Sequence, residues 1–445
     1  MKNILNKFKN KNYKHYNKLK KLVNYADKNN GLTININKIQ EGYTNFYHPK
    51  SIQPFIPIAA EGPWMLTNDN KIVYDTGGYG MLGLGHNPEK LKEILSKDQV
   101  MANIMTPNIS QYIFRNMIDK LINPGYQSIM CLNSGSEANT LAMRISNIHN
   151  HKNPVTVSMI GSFHGRTEKP SIVSHSCIPN YQKCLSDYMY NNNKQNYFIR
   201  YNDIDSAVQI FDHIKKQNQF PEITLLEPVQ GEGNPGVMID HEFYKTIRQL
   251  TKQHNGLLLV DSVQAGLRCT GELSITKYPG FKDLDYPDME TFSKAINAGQ
   301  YPLSVLAVNQ KVADKFIPGI YGNTMTCNPR ALDIGTNVLK QIDFEVKGNI
   351  VKMGKYMKNE FIKLQEKYNF ITNITGTGLL LAIHLDKKIS VLDVEKDLRM
   401  NGLNVIHGGE NALRFTPWFY ISEEEINYII HLLDNQFIRL MNNKF

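Results

Sequence analysis

The sequence predicts an α/β architecture, and three observations carry that expectation. From roughly Ser128 to Val308, short apolar runs alternate with stretches of helical periodicity. Polar, glycine-containing clusters sit where those runs end. At 445 residues the chain exceeds one ordinary domain and suits a large domain plus a smaller one.

The runs Ile129–Leu132, Val155–Ile160, Ile223–Leu226, Leu257–Val260 and Leu303–Val308 have the length and composition of buried parallel strands. Helices are predicted between them. In one, Ala138, Leu141, Ala142, Ile145 and Ile148 recur on one face at the spacing of a 3.6-residue turn. From about Asn328 a long helical pattern leads into strand-like pieces near Gly378–Leu385 and Ala412–Thr416. An amphipathic helix follows, opened by Ser422 with Glu425 three residues on, a capping box. The expected organisation is a basic extension (1–30), the first part of a small domain (31–75), a large domain (76–327) and a C-terminal small α+β domain (328–445).

Composition narrows the function classes. Hydrophobic residues are 41% and charged residues 20%, ordinary for a globular protein. No apolar run approaches the ~20 residues of a membrane-spanning helix, so no membrane partner is expected. The net charge of +9 looks like a nucleic-acid signal until it is located. Residues 1–30 hold nine Lys against the single acid Asp27, or +8, which leaves +1 for the remainder. A nearly neutral body offers no basic face to a nucleic acid. Within 1–30, Leu19, Leu22, Val23 and Ala26 fall at helical spacing, so the segment reads either as a short amphipathic helix or as a solvated, partly disordered extension. It is poor in Arg and Ser for a mitochondrial transit peptide. The expected compartment is the cytoplasm, with the mitochondrial matrix as the alternative if the segment is a targeting signal. Five cysteines (Cys131, Cys177, Cys184, Cys269, Cys327) form no C-x-x-C pair, so neither a disulfide framework nor a metal site is expected.

The chemistry sits at the carboxyl ends of the runs, where open α/β sheets bind ligands. After Leu132 comes Asn133-Ser134-Gly135-Ser136-Glu137-Ala138, small residues at a strand-to-helix turn whose free N–H groups suit a phosphate, although taken singly the cluster reads as an ordinary helix cap. After Ile160 comes Gly161-Ser162-Phe163-His164-Gly165-Arg166-Thr167. An aromatic there could cover a flat ring, although taken singly Phe163 reads as core and His164 as a hydrogen-bonded structural histidine. Glu227-Pro228-Val229-Gln230-Gly231-Glu232-Gly233 and Asp261-Ser262-Val263-Gln264 follow the next two runs. A carboxylate at the end of an apolar strand is costly unless paired; it is a structural cap or the partner of a cationic ligand atom. In Thr291-Phe292-Ser293-Lys294-Ala295-Ile296, Lys294 is hemmed by apolar neighbours; taken singly it reads as a surface lysine, whereas burial would disfavour its charged form, as an amine nucleophile requires.

In order along the chain, these motifs resemble the class III pyridoxal-phosphate-dependent aminotransferases, the group with ornithine, acetylornithine, 4-aminobutyrate and lysine 6-aminotransferases. The resemblance covers roughly residues 55 to 425. It is carried by G-L-G-H-N-P at Gly83–Pro88, N-S-G-S-E-A at Asn133–Ala138, S-F-H-G-R-T at Ser162–Thr167 and E-P-V-Q-G-E-G at Glu227–Gly233. It continues through V-D-S-V-Q at Val260–Gln264, F-S-K-A at Phe292–Ala295, G-N-T-M-T-C-N-P at Gly322–Pro329 and L-R-F-T-P at Leu413–Pro417. It implies a fold-type I transferase with a mostly parallel central sheet in the large domain and a smaller α+β domain. The implied cofactor is pyridoxal 5'-phosphate.

The resemblance also assigns residues. Lys294 matches the Schiff-base lysine and proton shuttle, and Asp261 the partner of the pyridine nitrogen. Gln264 is expected near the ring hydroxyl, Phe163 on the ring face with His164 beside it, and Gly135 and Ser136 at the phosphate. Thr324 matches a threonine that reaches the phosphate from the other subunit, which implies a homodimer with shared sites. Arg414 matches the arginine for an α-carboxylate, and Glu232 the acid that pairs with it when that carboxylate is missing. Arg166 sits where a second carboxylate is held, and Tyr79 lies in the segment lining the distal pocket. The implied reaction moves an ω-amino group of a diamine or ω-amino acid to 2-oxoglutarate, with glutamate formed. A glutamate-1-semialdehyde-type aminomutase, a dialkylglycine decarboxylase relative and an inactive relative are the alternatives. Two departures bear on the substrate: the usual D-E-V-Q reads Asp261-Ser262-Val263-Gln264, and Trp418 stands where a second proline is common.

Overall fold

The computed structural model describes residues 2–9, 13–28, 35–45, 47–148, 153–179 and 196–442. Contacts divide the chain into two units, Met1–Lys92 with Gly348–Phe445, and Glu93–Lys347. These boundaries differ from the 75/76 and 327/328 divisions expected from sequence. Thr76 donates its amide to the Asn404 carbonyl (2.9 Å) and His86 exchanges backbone bonds with Gly62, which ties 76–92 to the first unit. The helix Pro329–Lys340 packs on the helix Ile109–Ile118 and stays with the second.

In the first unit, strands β1 (Pro57–Glu61), β2 (Trp64–Thr67) and β3 (Ile72–Asp75) form an antiparallel meander. The basic N-terminal segment is helical, over Lys2–Lys9 and Tyr16–Lys28, and it is not the solvated extension that was one of its two readings. Leu19, Leu22, Val23 and Ala26 are all buried, and the second helix packs on β1 and β2. The apolar stripe outweighs the lysines because Lys18 and Lys21 place their ammonium groups on the buried carboxylate of Glu61, at 2.9 and 3.1 Å.

The second unit holds a seven-stranded sheet. Its strands are β4 (Tyr126–Leu132), β5 (Pro154–Met159), β6 (Asn196–Ile199), β7 (Phe220–Leu226), β8 (Leu257–Asp261), β9 (Met289–Phe292) and β10 (Ser304–Asn309), in the order β4-β10-β9-β8-β7-β5-β6. Neighbours from β9 to β6 pair parallel. The runs Leu303–Val308 and Ile129–Leu132 do not pair parallel as expected: β10 lies antiparallel to both β9 and β4, and β4 is the edge strand paired to β10. Parallel pairing needs a crossover of a dozen or more residues, and β9 and β10 are joined only by the short Lys294–Asn297 turn and its flanks. One apolar layer covers each face. Helices Ile204–Lys216 and His241–Gln253 bury Phe211, Ile214, Phe243 and Ile247 on one side, and helix Gly135–Asn147 buries Leu141, Ala142 and Ile145 on the other.

The chain returns to the first unit with β11 (Ile371–Thr377), β12 (Leu380–Leu385), β13 (Leu403–Asn404), β14 (Ile406–Gly408) and β15 (Ala412–Phe415). Strand β13 joins the meander beside β3, and the others form an antiparallel sheet in the order β11-β12-β15-β14. The capping box at Ser422 and Glu425 is present, with the Ser422 amide donating to Glu425 at 2.8 Å. Among the described cysteines, Cys131, Cys177, Cys269 and Cys327 form no disulfide; Cys184 lies outside the described residues. Among the described residues no cluster of metal-ligating groups occurs and no helix is long and apolar enough to cross a membrane.

Candidate active site

The carboxyl ends of β4, β5, β7, β8 and β9 bring most of the predicted site residues of the second unit together. Asp261 closes β8, and its side chain is almost fully buried. Its Oδ2 accepts from Asn139 Nδ2 at 2.7 Å and lies 2.8 Å from His164 Nδ1, while Oδ1 accepts from the Val263 amide at 3.1 Å. Thr291 Oγ1 donates to Asn139 Oδ1 at 2.9 Å, which orients the amide with its N–H toward the acid. Among the described residues no lysine or arginine pairs with Asp261. A buried carboxylate held by neutral donors and one imidazole, without a fixed cation, is a site for a cationic ligand atom.

Lys294 opens the turn after β9. Its φ is +49°, a left-handed conformation that costs a non-glycine residue on the order of 1–3 kcal/mol and persists only where the surroundings over-determine it. Ser293 Oγ and Asn297 Nδ2, on either side, both donate to the Leu303 carbonyl, at 3.0 and 3.1 Å. The half-buried Lys294 side chain donates from Nζ to Oε1 of Gln264. Gln264 is buried, and its Nε2 has no partner among the described residues. An orphaned buried donor beside the amine suits a ring oxygen such as the phenolic one of pyridoxal phosphate.

The phosphate end fits as well. Ser134 caps the helix Gly135–Asn147, and its Oγ takes the Glu137 amide at 3.2 Å, so the Gly135 and Ser136 N–H groups stay at the open, positive end. A Cβ on Gly135 would come within 2.8 Å of Val263. One on Gly165, at φ +123°, would strike the Ser136 hydroxyl. The two turns must approach without side chains between them, which leaves backbone exposed to a ligand.

Phe163 is half-buried, its amide donating to Glu227 Oε2 at 3.1 Å, and the Arg166 guanidinium lies 5.8 Å from its ring centroid. Glu227 also accepts from the Gly231 amide at 3.0 Å. Burial pushes its carboxyl up to about 7; the negative Asp261 adds to this, and His164 opposes it. Glu232 is half-buried on the turn after β7, and Arg166 is exposed. Thr324 is exposed, its carbonyl taking Asn103 Nδ2 at 3.3 Å. In the first unit, Arg414 is buried on β15, and Tyr79 sits exposed at φ +52°.

Sequence reasoning passed over Asn139, Thr291 and Glu227. Asn139 is a fully buried polar residue beside the apolar stripe of its helix, and Thr291 a buried hydroxyl in a strand; only the pairing of β8 with β9 reveals their common target. Glu227 lies inside the Glu227–Gly233 motif and takes the Gly231 amide locally, but its other partner, the Phe163 amide, comes from a turn sixty-four residues away.

A doubly covered, mostly parallel sheet with an amine, an acid and an open helix end at its carboxyl edge defines a fold-type I pyridoxal-phosphate transferase. The chain belongs to the class-III aminotransferases, pyridoxal-phosphate-dependent transaminases: the sequence model of that family matches residues 47–437. It is 30% identical to an acetylornithine aminotransferase of Prochlorococcus marinus, over 84% of this chain and 89% of that one. It is 28% identical to an ornithine aminotransferase of Staphylococcus saprophyticus, over 87% and 96%. Among solved structures, the ornithine aminotransferase of Toxoplasma gondii ME49 superposes with a TM-score of 0.77 at 23% identity, covering 94% of this chain and 98% of that one. The taurine:2-oxoglutarate aminotransferase of Bifidobacterium kashiwanohense, in complex with pyridoxal phosphate and glutamate, has a TM-score of 0.77 at 18% identity, over 91% and 97%. These two likenesses show the shared fold.

Proposed function

We propose that this aminotransferase moves the ω-amino group of a diamine or ω-amino acid of the ornithine or acetylornithine kind to 2-oxoglutarate. The observation that carries the chemistry is the half-buried Lys294 amine on Gln264, three residues from Asp261, an acid that has no fixed cation among the described residues. Relatives named as ornithine and acetylornithine aminotransferases support the donor class. The fold neighbour named for 2-oxoglutarate supports the acceptor.

Pyridoxal phosphate, when bound, supplies a carbonyl carbon and a cationic ring that takes up the electron pair released from the substrate's C–H bond. The chain's own residues do the rest. Lys294 Nζ takes the proton from the amine-bearing carbon and returns it later in the turnover. Asp261 would keep the ring nitrogen protonated, with His164 bonded to the same acid, and Gln264 Nε2 would donate to the ring oxygen. Phe163 would cover the ring face. The Gly135 and Ser136 amides would hold the phosphate, completed by Thr324 of a second copy. Arg414 takes the α-carboxylate of the acceptor through a two-pronged bond. Glu232 offsets the arginine's charge when the donor brings no α-carboxylate, Arg166 takes a second carboxylate, and Tyr79 borders the distal end.

The test is the spectral half-reaction of the purified holoenzyme against a panel of diamines, ω-amino acids and glutamate. Conversion by ornithine or its acetyl derivative and by glutamate is expected. Arg414→Ala should abolish the glutamate half while sparing an uncharged amine donor, and Lys294→Ala should abolish both. A holoenzyme that ignores glutamate would point to the aminomutase reaction instead.

A further inference from the structure

Strand β9 carries a second buried acid that the reaction as described does not use. Along Met289-Glu290-Thr291-Phe292 the side chains alternate in direction. Thr291 reaches Asn139 in the site, and Glu290 points to the other side with no solvent exposure at all. Four donors converge on its two oxygens. Ser262 Oγ (2.6 Å) and the Ile275 amide (2.9 Å) donate to Oε1. Ser274 Oγ (2.5 Å) and the Tyr126 hydroxyl (3.2 Å) donate to Oε2. Among the described residues no basic side chain pairs with it. An apolar residue would fill this strand position at less cost than a carboxylate without a counter-ion.

What the carboxylate holds is the turn on which two cofactor-facing residues sit. Ser262 directly follows Asp261, and Gln264 is two residues on. The Ser262 amide donates to the Thr291 carbonyl at 3.0 Å, its carbonyl takes the Gly266 amide at 2.8 Å, and its hydroxyl goes to Glu290. Ser262 is also where the chain departs from D-E-V-Q. The acid that pattern places inside the turn stands here on the adjacent strand and reaches back to the same position.

We propose that Glu290 is a positioning residue for Asp261 and Gln264, its carboxylate fixing Ser262 and through it the turn that aims both side chains at the cofactor. This rests on the assignment of Asp261 and Gln264 as cofactor contacts.

The test uses the holoenzyme and five variants, read by kcat and KM, by cofactor affinity on titrating pyridoxal phosphate into stripped enzyme, and by melting temperature. Glu290→Met is expected to lower kcat about 100-fold with KM for the donor nearly unchanged, and to weaken cofactor affinity about 10-fold, since small misplacements of reacting groups cost this much. Glu290→Gln, which keeps the shape and the Oε1 acceptor, should recover most of the loss. Adding Ser262→Glu to Glu290→Met should restore kcat to within about tenfold of wild type, a coupling of the size seen for residues in contact. A melting-temperature loss with kcat and cofactor affinity within about twofold of wild type overturns the proposal. If Glu290→Met does not fold, Ser262→Ala decides: a kcat loss of about tenfold at constant melting temperature supports the proposal, and unchanged kcat overturns it. Asp261→Asn separates the two levels. Intact turnover in Asp261→Asn removes the cofactor assignment and the proposal with it. Lost turnover there, with Ser262→Ala unaffected, removes Glu290's role alone.

Discussion

Asn139 spends both ends of its amide on the site: Nδ2 donates to Asp261 and to the His164 carbonyl, at 2.7 and 2.8 Å, and Oδ1 accepts from Thr291. A hydrogen bond to a charged group is worth about 1.5–3 kcal/mol, and the acid here has few other donors. Asn139→Ala is expected to cost about 2 kcal/mol of stability and to lower kcat about tenfold, measured by denaturant unfolding and steady-state kinetics. Asn139→Asp keeps the shape but puts a second negative charge against Asp261, so its kcat should fall further than that of Asn139→Ala. Equal or higher activity in the aspartate variant would refute the charge argument. The three passed-over residues, Asn139, Thr291 and Glu227, mark where local sequence fails. Each is an ordinary polar side chain whose meaning comes from a strand or turn over sixty residues away.

At the scale of elements, the N-terminal helices are locked to the small unit by one buried cluster. Phe8 packs on Tyr13, Trp64 and Tyr428, with ring centroids 4.7–5.5 Å apart, and Trp64 Nε1 donates to the Tyr13 hydroxyl at 3.2 Å. The Tyr13 hydroxyl donates to Glu425, and Trp418 Nε1 donates to the same carboxylate at 3.3 Å. Trp418, which replaces a common proline, thus serves the cap of the last helix. Burial pushes Glu425 up to about 7, with Tyr13, the Ser422 amide and Trp418 pulling the other way. A raised folded-state pKa means that the native state holds a proton the unfolded chain releases near its ordinary value of 4.5. The stability from this group is therefore complete below that value and lost as pH rises through about 7. The melting temperature of wild type relative to Glu425→Gln should fall between about pH 5 and about pH 8, and a flat or rising difference refutes the assignment. Tyr13→Phe should cost about 1–3 kcal/mol by leaving that buried carboxyl short of a donor. The periodicity of Leu19, Leu22, Val23 and Ala26 made this helix legible in sequence. Its docking surface was not, because Trp64, Trp418 and Glu425 come from distant parts of the chain.

For the whole molecule, we propose a homodimer with shared sites. Val100, Met101, Ile104, Met105, Ile109 and Tyr112 form an exposed apolar stretch in the unit that carries Lys294, with Met101 83% exposed. An apolar stretch of that kind marks an association surface, and the Thr324 turn is bonded to it through Asn103. Met101→Glu with Met105→Glu is expected to shift the protein to monomers in analytical ultracentrifugation. Lys294→Ala mixed with Thr324→Ala should regain sites of wild-type cofactor affinity, because one site of each mixed dimer then draws both residues from unaltered positions. No recovery on mixing, with dimers confirmed, would refute the shared site. The α/β class, the strand runs, the capping box and the order of the chemical motifs were determined by sequence alone, because periodicity, turn chemistry and small-residue spacing are local properties of the chain. The reversed direction of β10, the docking of the basic helix and the convergence of Asn139, Thr291 and Glu290 around the Asp261 turn were decided only by the tertiary structure. Each depends on which segments the sheet makes neighbours, and hydrogen bonds between distant residues leave no periodic trace in the sequence that forms them.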